Sequence, residues 1–153
     1  MLGKVRVLGS GTSQGIPMIA CDCDTCLSTD PKDKRLRASI LIELNGKNYI
    51  VDAGPDFRTQ MLREHVKQLD AILFTHEHKD HVAGLDDVRA FNFFSEKPMD
   101  IYCTDNVEVA LRREFHYIFD GNNYPGVPKI TLNRIDKHAF ELDGIRIQPI
   151  EVL

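Results

Sequence analysis

Three histidines and an aspartate lie within six positions of one another in the segment of residues 75–81. The four side chains belong, in order, to His76, His78, Asp80 and His81. Imidazole nitrogen and carboxylate oxygen are common ligands of Zn²⁺ and also suit Mn²⁺. A purification tag would repeat histidine without the interposed aspartate and would lie at a terminus. The segment therefore predicts a divalent-metal site rather than a solvated loop.

A second candidate metal site lies nearer the N-terminus, where Cys21, Cys23 and Cys26 fall within six positions. Four cysteines in a cytosolic chain indicate thiols or metal ligands before disulfides. Three thiolates on one turn fit one structural zinc ion, which would order a loop of low apolar content. The fourth ligand stays open between Cys103, a histidine and a residue outside the chain, and free thiols or a disulfide are the alternative. Cys103 follows an apolar pair and is predicted to be a buried small hydrophobe.

Composition indicates one globular domain over residues 1–153, since the chain is 42% hydrophobic and 27% charged. It has no apolar run of about eighteen residues and no export signal, so we expect no membrane partner and a cytoplasmic location. The net charge of −4 argues against a broad nucleic-acid surface. A basic cluster could meet an anion but is more typical of a solvated loop. It consists of Lys32, Lys34, Arg35 and Arg37.

The first half of the chain has the alternating pattern of a sheet. Residues 4–8 are predicted to form a strand, and residues 38–44 and 48–52 a hairpin. Asn45-Gly46 between them tolerates the positive φ angles of a two-residue turn. The hairpin delivers Asp52 at the end of its second strand.

Helical spacing begins after the hairpin. Residues 56–66 are predicted to form a helix, and residues 69–74 a strand whose carboxyl end carries the histidine segment. Loops at strand ends are where functional residues concentrate. A second helix follows, with a core face made of Leu85, Val88, Phe91 and Phe94.

The last third of the chain is predicted to contain one more helix and three strands. Asp105 or Asn106 would cap the helix, which extends to about Phe119. The strands are predicted at residues 130–135, 139–142 and 145–150, with a hairpin turn at Asp143-Gly144.

Three segments in the same order resemble the metallo-β-lactamase superfamily. They are the His-x-His-x-Asp-His pattern of residues 76–81, the strand end Asp52-Ala53-Gly54, and the glycine-rich turn of residues 8–13. The resemblance implies an α/β (α+β) fold, an αββα sandwich of which this chain holds the first half, with a mixed sheet and flanking helices.

The resemblance also implies a chemistry and roles for these residues. Two divalent ions, Zn or Mn, would be held by His76 and His78 and by Asp80 and His81, and the last two residues would be catalytic. Asp52 would orient the histidine segment through hydrogen bonds. Glu77 and Lys79 are expected to face solvent. The reaction expected is hydrolysis by a metal-activated hydroxide.

The family completes its site with a further histidine, a bridging aspartate and another histidine, and none has a matching position here. His116 and His138 lie outside the matching context and are not expected to be ligands. The chain thus resembles the N-terminal part of the family domain. Such a part would leave an apolar sheet face open, which favours a homodimer.

The substrate expected from the resemblance is a small phosphodiester. The glycine-rich turn combined with the cysteine cluster is most similar to the phosphoribosyl cyclic phosphate phosphodiesterases. A phosphate oxygen could be received by a loop composed of Gly9, Ser10, Gly11, Thr12 and Ser13. Three alternatives stay open: a tRNA 3′-processing nuclease, which usually needs a basic arm absent here; a pyrroloquinoline quinone biosynthesis-type protein; and a non-catalytic metal-binding module.

Overall fold

The structure is a computed structural model and describes residues 3–121 and 124–152. Eight strands are present in these ranges: β1 (Gly3–Gly9), β2 (Ser39–Leu44), β3 (Lys47–Val51), β4 (Ala71–Leu73), β5 (Met99–Cys103), β6 (Ile130–Arg134), β7 (Phe140–Leu142) and β8 (Ile145–Ile147). The α-helices are α1 (Asp24–Leu27), α2 (Phe57–Arg63), α3 (Lys79–Val82), α4 (Arg89–Ser95), α5 (Asp105–Glu114) and α6 (His116–Phe119), with 3₁₀ turns at Pro31–Asp33 and Leu85–Val88.

Six strands form one mixed sheet in the order β1-β2-β3-β4-β5-β6. β2 is antiparallel to both β1 and β3, and β3 to β6 are parallel. The carboxyl ends of β3 to β6 therefore lie along one edge of the sheet, as is usual for parallel strands joined by helices. The predicted α/β fold with a mixed sheet and flanking helices is confirmed.

Both predicted hairpin turns are confirmed by their backbone angles. Asn45 and Gly46 have φ of 53° and 77°, and Asp143 and Gly144 have φ of 51° and 76°. Two consecutive residues at positive φ match the right-handed twist of the strands that they join. The turns fix the registers of β2 with β3 and of β7 with β8.

The main core lies between one face of the sheet and the helices. Leu8, Leu41, Ile50, Ile72 and Ile101 come from successive strands and are fully buried. Apolar side chains of the helical layer cover them, among them Phe57, Val82, Leu85, Val88, Val107 and Leu111. Each such side chain contributes about 1.5–3 kcal/mol by leaving water. Cys103 is buried in this core, as predicted, and burial raises the pKa of its thiol to about 11.

The other face of the sheet is covered only in part. The β7–β8 hairpin packs over Tyr49 and Ala71 through Leu142. Towards the β1 edge, Val5 and Val7 are 63% and 64% exposed. This open apolar strip agrees with the predicted open face, and the predicted homodimer stays a prediction.

The helix predicted over residues 56–66 is shorter in the structure. It ends at Arg63, because His65 adopts a φ of 54°, which an α-helix cannot contain. The predicted second helix is also different, since the 3₁₀ turn Leu85–Val88 precedes α4. Phe94 is 81% exposed and is therefore not a core residue, which corrects its assignment to the buried face.

The helix predicted from residue 105 to about residue 119 is broken at Phe115, whose φ of −117° and ψ of 40° are not helical. Thr104 occupies the N-cap position, so neither Asp105 nor Asn106 caps α5 as predicted. The strand β8 ends at Ile147, three residues earlier than predicted. Within the described ranges we find no helix with the length and apolar character needed to cross a membrane.

Candidate metal centre

The histidine segment begins where β4 meets the carboxyl edge of the sheet. Asp52 directly follows β3, the neighbouring parallel strand, and its backbone N–H donates to the carbonyl of Leu73 over 3.0 Å. Asp52 has a φ of 62°, which turns the chain sharply at the strand end. Its side chain is consequently aimed along the edge towards the residues that follow β4.

The carboxylate of Asp52 contacts both Thr75 and His81. Its Oδ1 accepts the backbone N–H of Thr75 at 2.9 Å, and its Oδ2 accepts the Thr75 hydroxyl at 2.7 Å. The same Oδ2 lies 2.7 Å from Nδ1 of His81. Asp52 is only 5% exposed, so these contacts satisfy a carboxylate that has little access to water. The predicted contact of Asp52 with the histidine segment is therefore present.

These contacts assign the tautomers of two histidines. A carboxylate only accepts hydrogen bonds, so Nδ1 of His81 carries its proton and donates to Asp52. The Thr75 hydroxyl gives its one proton to Asp52, and the 3.0 Å contact with His76 is therefore donated by Nδ1 of His76. In the neutral form of each ring Nε2 then has the free lone pair, and this is the form that binds a metal.

The environment of the His76 ring also favours its neutral form. Burial of the ring and the neighbouring His81 both lower the pKa of His76 below its usual value. The His76 ring centroid lies 3.9 Å from that of His81 and 4.7 Å from that of His78. The three predicted histidines therefore form one cluster.

Asp80 and His81 have the spacing of two ligands on one ion. Nε2 of His81 lies 3.2 Å from Oδ2 of Asp80, and both atoms are acceptors once Nδ1 of His81 carries the ring proton. Two ligands at about 2.0 Å from a tetrahedral zinc are separated by about 3.3 Å. The donor set and its spacing therefore fit a divalent cation between these two side chains.

The ligand atoms of the histidine segment nevertheless do not converge on one point. Among the described residues, the one group of three or more histidine, cysteine or acidic ligand atoms lying mutually within 4.8 Å is the cysteine cluster. Zinc sites use three or four protein ligands. Residues 76–81 thus present one close pair of ligand atoms, from Asp80 and His81, beside the rings of His76 and His78, and further ligands are needed for a complete coordination shell.

Two glycines allow the strand end after β3 to lie against the histidine segment. A Cβ on Gly54 would fall 1.9 Å from the carbonyl oxygen of Asp80, and one on Gly84 would fall 2.2 Å from the carbonyl oxygen of Gly54. The Gly84 N–H donates to the carbonyl of Ala53 over 2.8 Å. Only glycine permits backbones to approach this closely.

Glu77, Lys79, His116 and His138 are exposed or have partners of their own. Glu77 and Lys79 are exposed, and Lys79 forms an ion pair with Glu114. His116 is exposed on α6, and His138 contacts the carboxylate of Asp136. The structure brings neither histidine into a group of potential ligand atoms with residues 76–81.

The cysteine cluster is compact but lies on an exposed loop. Sγ of Cys21 is 3.4 Å from Sγ of Cys23, and Sγ of Cys26 accepts the backbone N–H of Met18 at 3.4 Å. Three sulfurs within 4.8 Å of one another fit tetrahedral zinc, for which about 3.8 Å is expected between sulfurs. The Cys26 N–H lowers the pKa of the Cys23 thiol, and all four cysteines are free.

The glycine-rich turn packs against the segment of residues 35–37. A Cβ on Gly9 would lie 1.9 Å from the carbonyl oxygen of Arg37, and the Gly11 N–H donates to the carbonyl of Leu36 over 2.8 Å. The Gly11 N–H is therefore not available to a phosphate oxygen. For Ser10, Thr12 and Ser13 the phosphate-loop assignment stays a prediction.

The basic cluster is partly neutralised. Arg37 forms an ion pair with Asp56 at 3.1 Å and donates its Nε to the carbonyl of Ser13. Arg35 lies 3.5 Å from the Ser10 hydroxyl, and Nζ of Lys34 lies 3.4 Å from the carbonyl of Cys26. These contacts hold the glycine-rich turn and the cysteine loop beside the strand end that carries Asp52.

Two site residues were missed from the sequence. Thr75 links Asp52 to His76, and its position between a strand end and the first histidine was the available signal. Gly84 lies three residues after His81, and no sequence pattern marked it. Glycine is required at this position because the backbone of Gly54 approaches it closely.

The chain matches a family model described as a beta-lactamase superfamily domain over residues 47–153. Among solved structures, it is similar to one described as a new diphosphatase from the PhnP family, with 40% identity and a TM-score of 0.86 over 97% of this chain and 56% of that one. Zn²⁺-bound PqqB from Methylobacterium extorquens, at 23% identity and a TM-score of 0.70 over 92% of this chain and 48% of that one, shows the same fold.

The curated relatives that match include two with different names. A protein named octanoyltransferase from Porphyromonas gingivalis is 41% identical over 149 residues, which is 96% of this chain and 30% of that protein. Coenzyme PQQ synthesis protein B from Methylococcus capsulatus is 28% identical over 92% of this chain and 49% of its own length. The chain thus spans about half or less of the curated relatives that it matches.

Proposed function

The chain belongs to the beta-lactamase superfamily and has its metallo-β-lactamase fold, and from this premise we propose that it acts as a metal-dependent hydrolase of a small phosphodiester. The proposal includes two divalent ions, Zn²⁺ or Mn²⁺, at the histidine segment and one structural Zn²⁺ at the cysteine cluster. The activity itself is proposed for a protein of the length of its relatives, because this chain spans 56% of the PhnP-family diphosphatase.

The observation that supports the proposal most is the arrangement around Asp52. One buried carboxylate holds His81 directly and His76 through Thr75, and it leaves Nε2 of both rings free. Histidines that bind metals commonly donate their other N–H to a carboxylate, which fixes the ring orientation. The 3.2 Å separation of His81 Nε2 from Asp80 Oδ2 also supports the proposal, because it matches the spacing of two ligands on one ion.

In the proposed reaction, the divalent ions supply Lewis-acid stabilisation of a phosphoryl oxygen and a nucleophile at neutral pH. His76 and His78 bind one ion, and Asp80 and His81 bind the other. Asp52 keeps Nδ1 of His81 protonated and so prevents that ring from rotating away from the ligand position. Thr75 does the same for His76.

The phosphate class of substrate is supported by the diphosphatase described above, which is 40% identical to this chain. That name also raises a second candidate, a diphosphate rather than a diester. The phosphodiester was expected from the glycine-rich turn together with the cysteine cluster, and both substrates present a phosphoryl centre with an oxygen leaving group. We therefore test them side by side.

Two other functions have weaker support. The coenzyme PQQ synthesis protein B of Methylococcus capsulatus matches at 28% identity, so a protein of that type is the next candidate. A non-catalytic metal-binding module would retain the metals without turnover. A tRNA nuclease has no further support, because the similarity to human tRNase Z, at 21% identity, shows the fold alone.

The test is metal analysis combined with assays on bis(p-nitrophenyl) phosphate and on a nucleoside diphosphate, with added Zn²⁺ or Mn²⁺. Turnover that is abolished by His76→Ala but retained in His116→Ala, the matched change of an exposed histidine, supports the hydrolase. Bound metal without turnover of either substrate supports the binding module. Absence of bound metal contradicts the proposal.

A further inference from the structure

The corner between α5 and α6 contacts both ends of the segment that carries Asp80 and His81. At one end, Lys79 opens α3 and forms an ion pair with Glu114, the last residue of α5. Nζ of Lys79 also lies 6.0 Å from the ring centroid of Phe115. At the other end, the hydroxyl of Tyr117 in α6 donates to Oδ1 of Asp86 over 2.7 Å.

The contact between Tyr117 and Asp86 is partly buried at the margin of the core. Asp86 lies in the 3₁₀ turn that is separated from the end of α3 by two residues, and its other oxygen pairs with Arg89 at 3.2 Å. Tyr117 packs against the main core. Burial, and then the neighbouring Asp86, raise the pKa of Tyr117 to about 12, so its hydroxyl remains a donor at any working pH.

The sheet edge holds one histidine of each ligand pair through Asp52, whereas the α5–α6 corner supports only the segment that carries Asp80 and His81. The sheet edge holds His76 through Asp52 and Thr75. Asp80 and His81 lie on α3, which has only four residues and is too short to be stable alone. Besides the His81 contact with Asp52 and the burial of Val82, the orientation of α3 depends on what is packed against its ends.

We propose that Tyr117, through its hydrogen bond to Asp86, is a positioning residue that orients α3 and so sets the affinity of the Asp80–His81 ligand pair for a divalent ion. This inference rests on the proposed metal site and adds to it a residue 36 positions beyond His81 in the chain. Glu114 supports the opposite end of α3 through Lys79. None of these residues contacts the ligand atoms themselves.

The chain offers a matched control for Tyr117→Phe. The hydroxyl of Tyr49 also donates to an aspartate, Asp143, over 2.8 Å. That contact joins β3 to the β7–β8 turn on the opposite face of the sheet. Tyr49→Phe removes the same kind of hydrogen bond and is expected to lower thermal stability by a similar amount. It leaves the contacts of α3 intact.

Two readouts test the inference on the full chain. In metal-free protein, we expect amide hydrogen exchange of residues 79–84 to rise about fivefold in Tyr117→Phe, as one lost hydrogen bond allows, and not to rise in Tyr49→Phe. In Mn²⁺ titrations followed by electron paramagnetic resonance, we expect about tenfold weaker binding in Tyr117→Phe alone. Mn²⁺ prefers carboxylate to thiolate ligands, so the cysteine cluster does not contribute.

Asp86→Ala provides a second variant, and adding Tyr117→Phe to it should cause no further loss, because Asp86→Ala already removes the acceptor of the Tyr117 hydroxyl along with the Arg89 ion pair. Equal exchange of residues 79–84 in Tyr117→Phe and Tyr49→Phe would overturn the inference. If the wild-type chain binds no Mn²⁺, the proposed function fails, whereas the exchange comparison still decides whether Tyr117 orients α3.

Discussion

The two candidate metal-binding segments of this protein differ in what holds them in place. Residues 75–81 rest on buried groups, because Asp52 lies beneath the histidines and Val82 anchors α3 in the core. The cysteine loop has no such support. Ile19 beside it is 89% exposed, and α1 contains no buried residue.

The two segments are therefore expected to differ in how far their order depends on a bound ion. The fold itself positions His76 and His81, so the histidine segment is expected to keep its structure when metal is removed. Little apolar surface is buried around Cys21, Cys23 and Cys26, so the structural zinc proposed there would supply much of the order of that loop. Metal binding at the cysteine cluster would then mainly stabilise the fold, whereas metal binding at the histidine segment would serve the reaction.

The largest expected effect is on stability, from replacing Cys21, Cys23 and Cys26 with Ser. Zinc at 1,000 times its dissociation constant stabilises a protein by about 4 kcal/mol if it binds only the folded state. We expect the triple variant to lose that increment in denaturation with excess zinc. Without zinc, the variant and the wild type should unfold alike. Equal stabilities in the presence of zinc would remove the contrast between the two sites.

The next effect is the loss of metal and hydrolysis in His78→Ala or Asp80→Ala. Removing a ligand should weaken metal binding by more than about 100-fold, the upper range for losing a partner outside the ligand shell. Far-ultraviolet circular dichroism should stay nearly unchanged, because both side chains lie outside the core. Full metal content in both variants would contradict the ligand assignment.

A third change tests whether the histidine segment depends on the fold. Gly54→Ala places a Cβ 1.9 Å from the backbone oxygen of Asp80, which forces the backbones apart. We expect a loss of about 2 kcal/mol in unfolding free energy together with weaker metal binding. Gly46→Ala is the control, since no atom lies within 4 Å of its added Cβ and only the positive φ is strained. Unchanged metal binding in Gly54→Ala would show that the approach of the two backbones is not required.

The smallest expected effect comes from Thr75→Val, which keeps the shape of the side chain and removes its hydroxyl. His76 then loses the partner of its Nδ1, and metal binding should weaken by about tenfold. Thr131→Val, an exposed threonine on β6, should bind metal as the wild type does. Isothermal titration of both variants measures the difference, and identical dissociation constants would mean that Thr75 does not orient His76.

Local patterns predicted the parts of the fold that depend on neighbours in sequence. Alternation and Asn45-Gly46 predicted the β2–β3 hairpin, and the resemblance of residues 76–81 to a family motif predicted the histidine cluster. The contact of Asp52 with that cluster was expected from the same resemblance. The geometry supports this contact directly, because Asp52 and His81 are 2.7 Å apart.

Features that depend on distant parts of the chain were not predicted. The break of the long helix at Phe115 lets Tyr117 reach Asp86, a contact between residues 31 positions apart. The exposure of Phe94 depends on where α4 ends relative to the core, which helical spacing alone does not specify. The requirement for glycine at position 84 follows from the approach of Gly54.

The most direct test is zinc K-edge X-ray absorption on the variant in which Cys21, Cys23 and Cys26 are serine. With the thiols removed, any tightly bound zinc must use other ligands. We expect a shell of nitrogen and oxygen at about 2.0–2.1 Å with the multiple scattering of imidazole rings. A protein that retains no zinc, or zinc without imidazole scattering, would contradict the claim that residues 76–81 bind divalent ions.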